Sequence, residues 1–328
     1  MSDAAIHDRL HQAVTAGFDR QTAFLAELVR FPSVRGQEGP LQDWMARQLA
    51  QRGYSVDRYT LDQVDMTALP GFSPAMDTDY SRAVQVVGTR RAAVPAGRSL
   101  ILQGHVDVVP TGPAALWTTA PFDPVVRDGW MHGRGAGDMK QGVAAMVFAL
   151  DAIRDAGLAL TADVHLQTVT EEECTGNGAL STLARGYRAD AVLIPEPTAA
   201  TITRAHVGVM WFRLRVRGVP VHVARAQSGS NAIMSAFALI QALQRHTAAL
   251  NQAARADPWF GTTEDPIKFN PGVIRGGDGP AARRPGAKWI AASACCPAPA
   301  SRRRAPACSA AWRRRHGATA SSPTTRPT

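Results

Sequence analysis

Apolar residues in the first part of the chain recur at helical spacing. In DRQTAFLAELVRFPSV, Phe24, Leu25, Leu28 and Val29 fall on one side, and Pro32 stops the run. GPLQDWMARQLAQRGYSVDRYTL predicts a second helix, with Leu41, Trp44, Met45 and Leu49 as its stripe and Gly53 at a C-cap position. The period then switches. AVQVVGTR and SLILQGHVDVVP predict strands, GVAAMVFALDAIRDAG a helix closed by Gly157, and ADVHLQTVT and ADAVLIPEP strands again. Strands alternating with helical segments imply an α/β sheet layered with helices.

After Thr198 the texture changes. VGVMWFRLRVRG interleaves Val209, Trp211, Leu214 and Val216 with Arg213, Arg215 and Arg217, which predicts a strand with one wet face, as in an antiparallel sheet. GSNAIMSAFALIQALQRHTAALNQ predicts a long helix with Asn231 near its start, and IKFNPGVIRGG another strand. The chain thus divides into a sheet-and-helix domain over 1–200, a smaller α+β domain over 201–278, and a tail over 279–328. The tail holds no Leu, Val, Phe, Met or Tyr and cannot build a core, so it is expected to be disordered.

Composition changes this picture only through charge. The 328 residues carry a net charge of +9, which by itself points to nucleic acid or an anionic membrane. Nine Arg, one Lys and no acid lie from Gly279 onward, however, so the rest of the chain sums to −1. The basic tail has no aromatic interleaving and no recognisable binding fold, so no specific nucleic-acid partner is expected. The N-terminus lacks a signal-peptide pattern, and no stretch approaches the roughly 18 apolar residues of a membrane span. Cys174 is the single cysteine before the tail, which holds Cys295, Cys296 and Cys308. With no disulfide framework, a cytoplasmic protein without a membrane partner is expected.

Four stretches carry candidate chemistry. LILQGHVDVVP delivers His105 and Asp107 to the end of an apolar strand, pointing the same way. A carboxylate beside an imidazole can fix its tautomer for metal binding, and a core His beside a surface Asp is the plain alternative. In GRGAGDMKQGVAAM, Asp138 sits on a Gly-rich turn opening a helix, as a ligand or as a helix cap; the spacing fits neither nucleotide fingerprint. TVTEEECTGNGAL ends a strand in Glu171, Glu172 and Glu173, carboxylates that repel one another unless a cation compensates them or they face water. AVLIPEPT ends a strand in Glu196. All four groups belong at one end of the sheet, where α/β proteins form their sites. One His with several carboxylates and no thiolate suits Zn²⁺, Mn²⁺ or Co²⁺.

Over about residues 15–278 the chain resembles the zinc-dependent co-catalytic exopeptidase and deacylase family. That family includes acetylornithine deacetylase, succinyl-diaminopimelate desuccinylase, aminoacylase and glutamate carboxypeptidase. The resemblance implies a mixed-sheet, zinc-exopeptidase-like α/β catalytic domain with helices on both faces, and an inserted, incomplete ferredoxin-like α+β lid or dimerisation domain. It implies two Zn²⁺, with Co²⁺ or Mn²⁺ possible, held by His105, Asp138, Glu173 and Glu196. Asp138 would bridge the ions and precede a cis peptide, and Asp107 would orient His105. The family motif Asp-Glu-Glu reads Glu-Glu-Glu here, which makes Glu172 the general base; a shift by one would make it Glu171. RGVPVHVARAQSGSNAI matches the lid signature, so His222 would steady the oxyanion of a small N-acyl amino acid substrate, commonly across a homodimer, while His206 is left structural.

The resemblance ends near Asp278. It implies a following strand with a carboxylate-gripping Arg, and later a further ligand His. Neither is present as written. Read one base out of frame with plausible codons, KWIAASACCPAP becomes Val-Asp-Cys-Arg-Ile-Gly-Val-Leu-Pro-Gly-Thr, the strand implied. The tail is therefore expected to be a frameshift product, and a truncated, inactive chain is the alternative to an active acetylornithine deacetylase-like enzyme or, within the enzyme class, a carboxypeptidase or dipeptidase.

Overall fold

A computed structural model describes residues 2–276, except Met76, Ala200 and Pro220, together with the backbone of 287–297. It divides into two compact units, 1–201 and 202–328.

The first unit opens with helices α1 (Asp3–Arg30) and α2 (Gly39–Gln51). Helix α1 begins well before its apolar stripe, because Ser2 caps it: the Ser2 hydroxyl accepts from the Ala5 N–H at 3.4 Å. Val14 and Phe18 in these extra turns are exposed, so no stripe marks them. After α2 the chain reverses at Gly53 (φ +80°), and the residues grouped with that helix in the sequence form strand β1 (Ser55–Thr60). There follow β2 (Val84–Arg90), β3 (Leu100–His105), a small ribbon of β4 (Val125–Arg127) and β5 (Trp130–His132), α3 (Gln141–Asp155), β6 (Val164–Val169), α4 (Asn177–Ala184) and β7 (Ala191–Leu193).

Five strands form one mixed sheet in the order β1-β2-β6-β3-β7. The β1–β2 and β2–β6 pairs are antiparallel, and β6–β3 and β3–β7 are parallel. Alternation along the strands gives each face its own layer. Val84, Val86, Leu102 and Leu166 pack with Leu28, Leu41, Leu49 and Val147 of α1, α2 and α3. Each such side chain contributes roughly 1.5–3 kcal/mol by leaving water. Helix α4 lies on the other face, where the Tyr59 hydroxyl meets Ser181 Oγ of α4 at 2.9 Å; Gln85, between Val84 and Val86, bonds Thr170 directly after β6. The expected mixed sheet with helices on both faces is what the chain forms.

The second unit contains β8 (Val207–Arg217), α5 (Ala232–Ala254), β9 (Phe269–Arg275) and β10 (Ala287–Pro297), with an antiparallel sheet in the order β8-β10-β9. Asn231 caps α5, its side-chain oxygen accepting from the Ile233 N–H at 2.9 Å. Two expectations need correction. Strand parity puts Val209 and Trp211 on the same face as Arg213, Arg215 and Arg217, and both apolar residues are about half exposed. The expected disorder from Gly279 does not hold over 287–297, whose backbone pairs on both edges. A strand between two others gains ladder hydrogen bonds on each side whatever its side chains, which a search for core-forming residues does not detect. The rest of the tail lies outside the described residues.

Candidate metal centre

Strand register gathers the candidate ligands. In the parallel β3–β6 pair His105 faces Val169, so the three glutamates follow directly beyond it. In the β3–β7 pair Leu102 faces Leu193; carried three residues further, that register sets Glu196 level with His105. Two glycines permit the close packing. A Cβ on Gly178 would lie 1.9 Å from the Thr170 carbonyl oxygen, and one on Gly142 would lie 2.4 Å from that of Pro195, beside Glu196. Asp138 stands on the turn before α3, and the Asp138–Met139 peptide is cis.

The imidazole of His105 is fully buried and sits among carboxylates. Its Nε2 lies 3.1 Å from Asp138 Oδ1, 3.7 Å from Glu196 Oε1 and 3.8 Å from Glu172 Oε2. On the other side its Nδ1 is 3.0 Å from the Asp107 carbonyl and 3.6 Å from Asp107 Oδ1. Ligand atoms of His105, Asp138 and Glu173 all lie within 4.8 Å of one another. Glu196 is outside that trio but within reach of His105. The Glu173 N–H donates to Asp107 Oδ2 at 3.1 Å, tying the glutamate turn to the segment after β3.

Of the predicted residues, His105, Asp107, Asp138, Glu172, Glu173 and Glu196 therefore share one locality. His222 lies in the second unit, where its ring caps a short helix by accepting from the Ala224 N–H at 3.2 Å. Glu171 is turned away to a different set of partners. Arg35 Nε and Nη2 grip its two oxygens, and Tyr80 and Thr175 donate to Oε2 at 3.2 and 2.9 Å.

Protonation reflects the crowding. Burial opposes charging His105, yet the carboxylates of Asp107 and Asp138 beside its two nitrogens outweigh this and raise its pKa to about 11. The His105 bond holds Asp138 below the usual carboxylate range. Burial, then repulsion from Asp138, pushes Glu173 up to about 7, and burial also raises Glu196. Asp107 Oδ1 is buried with no hydrogen-bond partner among the described residues. An imidazole and several carboxylates gathered here, with like charges forcing up one another's pKa, form a donor set that fits a divalent cation such as Zn²⁺, Co²⁺ or Mn²⁺.

Three supporting residues were not among those expected: Arg35, Glu38 and Lys140, the last inside GRGAGDMKQGVAAM. Buried Lys140 donates to the Leu28 and Phe31 carbonyls at 2.8 and 3.0 Å, fastening the Asp138 turn to the end of α1. The signal available was SVRGQEGP, charged residues in a tight loop between two helices. Glu38 there is buried, its Oε2 has no hydrogen-bond partner among the described residues, and desolvation raises its pKa to about 7. A folded pKa above the unfolded value of about 4.3 favours folding below pH 4 and loses that contribution as pH rises through 7. Glu38→Gln is therefore expected to be more stable than wild type at pH 8, by of order 2 kcal/mol, with the difference vanishing at pH 4. Urea denaturation at the two pH values measures it; equal differences at both would refute the assignment.

Fold and site define a mixed α/β protein with a candidate metal centre at the ends of its parallel strands. The chain belongs to peptidase family M20/M25/M40, whose sequence profile matches residues 101–275. It is 35% identical over 227 residues to a succinyl-diaminopimelate desuccinylase of Methylorubrum populi, covering 66% of this chain and 54% of that protein. It is 29% identical over 259 residues to an N-formyl-4-amino-5-aminomethyl-2-methylpyrimidine deformylase of Bacillus subtilis, covering 75% and 55%. The chain thus spans about half the length of these curated relatives. Among solved structures, the di-peptidase Dug1p of Saccharomyces cerevisiae shares the fold with a TM-score of 0.66 at 14% identity, covering 92% of this chain and 74% of that one. Human carnosine dipeptidase 1 does so with a TM-score of 0.63 at 16% identity, covering 93% and 75%. Among the described residues no helix is long and apolar enough to cross a membrane.

Proposed function

We propose that the chain is a metal-dependent amide hydrolase that removes an acyl group from a small N-acyl amino acid, in the manner of an acetylornithine deacetylase. One observation carries the reading: His105 at the end of β3 gathered with Glu172, Glu173 and Glu196, which follow the adjacent parallel strands, and with Asp138 on the turn before α3. The relatives' names support it, because desuccinylation and deformylation both cleave an acyl–nitrogen bond. His105, Asp138, Glu173 and Glu196 would hold two Zn²⁺, replaceable by Co²⁺ or Mn²⁺, and Asp107 would orient His105. Bound metal would supply Lewis acidity and an acidified water. Glu172, half exposed at the cluster, takes the water proton and delivers it to the leaving amine. His222 is assigned to the oxyanion, and the working form to a homodimer.

The test is hydrolysis of N-acetyl, N-succinyl and N-formyl amino acids, followed by amine release, before and after chelation and Co²⁺ return. Turnover that chelation abolishes and Co²⁺ restores is the expected result; chelator-insensitive turnover would sink the proposal. One observation favours a second reading, a chain that holds metal without turnover. Glu196 follows β7, the edge strand of the sheet, where Val192, Leu193 and Ile194 are about half exposed, so this ligand is supported from one side only. Co²⁺ binding with no amine release on any substrate would select that reading, and sequencing the coding DNA around Asp278 would then test for the frameshift.

A further inference from the structure

The loop between α1 and α2 is fastened to the strand end that carries His105. Ser33 Oγ donates to the Val106 carbonyl at 2.6 Å, and the Val108 N–H donates to the Ser33 carbonyl at 3.0 Å. From this loop Arg35 reaches a different segment, the turn after β6, and grips both oxygens of Glu171 in a fork, Nη2 to Oε2 at 2.7 Å. Glu171 is buried and adopts a left-handed conformation, φ 68°, that non-glycine residues rarely take. Its carbonyl accepts from the Thr175 and Gly176 N–H groups at 2.9 and 2.8 Å, closing the turn that holds Glu172 and Glu173. A residue held in this conformation needs surroundings that determine it, and the four donors on its carboxylate supply them.

We propose that Arg35 is a positioning residue of the metal centre: through Glu171 it sets the turn bearing Glu172 and Glu173 against the segment bearing His105 and Asp107. The fork on Glu171 and the Glu173-to-Asp107 bond both tie the turn to that segment, so loosening the fork moves Glu173 relative to His105. Bidentate geometry is the property that fixes orientation, and a lysine has only one donor nitrogen to offer. The inference rests on the metal reading proposed above.

Co²⁺ titration of the full chain, followed by visible absorption, tests it, with the melting temperature of the metal-free protein recorded alongside. Arg35→Met is expected to raise the Co²⁺ Kd by roughly 10- to 100-fold, the usual cost of losing a group that orients a ligand, and to shift the absorption band. Arg35→Lys should fall between. Because Arg35→Met strands the buried Glu171 charge and could unfold the chain, the paired replacement R35M/E171Q accompanies it and should show the same loss, not a larger one. A lower melting temperature with wild-type Kd and band would make the pair an ordinary structural ion pair and overturn the proposal. A wild-type chain that binds no Co²⁺ would instead overturn the metal reading, and the proposal with it.

Discussion

Glu172→Gln is expected to lower the turnover number by about 10²- to 10⁴-fold while leaving Co²⁺ affinity within a factor of two or so. Gln matches Glu in size and cannot accept the water proton, so the change removes basicity and little else. At 1.36 kcal/mol per decade this is about 3–5 kcal/mol of barrier, far more than a half-exposed side chain contributes to folding. The neighbours respond differently. Glu173 belongs to the trio with His105 and Asp138, so its replacement should act on metal affinity. Glu171 is engaged by Arg35, Tyr80 and Thr175, so the loss in Glu171→Gln should be recovered at saturating Co²⁺. Turnover at saturating Co²⁺ therefore separates the base from the other two, and the Co²⁺ Kd, raised more by replacing Glu173 than by Glu171→Gln, separates ligand from anchor. If Glu171→Gln alone lost turnover that excess Co²⁺ could not restore, the base would be Glu171 and the motif would be read one residue out.

The physical reason for preferring Glu172 was not legible in the run of three glutamates. The motif left the register open by one position, because three identical side chains carry no internal mark. What separates them is partnership at a distance: Arg35 lies 136 positions from Glu171 and Tyr80 lies 91. Local patterns read well where the cause was local. The stripe of α2, the Asn231 cap and the end of β3 at His105 are of this kind; β7 stops at Leu193, three residues short of the strand end expected at Glu196. They read poorly where a long-range contact decided, as with Arg35, Lys140 and the close approaches of Gly142 and Gly178. Strand β10 is an extreme case: its place comes from two neighbours' backbone groups, and composition alone argued against any structure there.

Divalent metal is expected to stabilise the chain measurably, and His105→Ala to abolish the effect. A ligand that binds only the folded state adds about 2.7 kcal/mol when present at one hundred times its Kd. The first unit spans residues 1–201, and for units of that size each kcal/mol moves the melting temperature by about 2–4 °C, giving a shift of about 5–11 °C. His105 is the centre of the cluster, within 4 Å of Asp138, Glu172 and Glu196, so Ala there leaves carboxylates without their nitrogen ligand and the shift should vanish at the same Co²⁺ concentration. The metal-free His105 variant should also melt below metal-free wild type. With a folded pKa raised to about 11, the imidazolium stabilises the metal-free fold fully below pH 6.5, and that contribution fades only as pH climbs through 11. The same proton must leave for metal to bind at Nε2, so the Co²⁺ Kd should fall about tenfold per pH unit between 7 and 8. Below pH 7 it should change more steeply, because Glu173, pushed up to about 7, then carries a proton as well. Thermal shifts with and without Co²⁺, and titrations across pH 6 to 8, measure both effects. A pH-independent Kd, or a shift that survives His105→Ala, would place the bound metal somewhere other than this cluster.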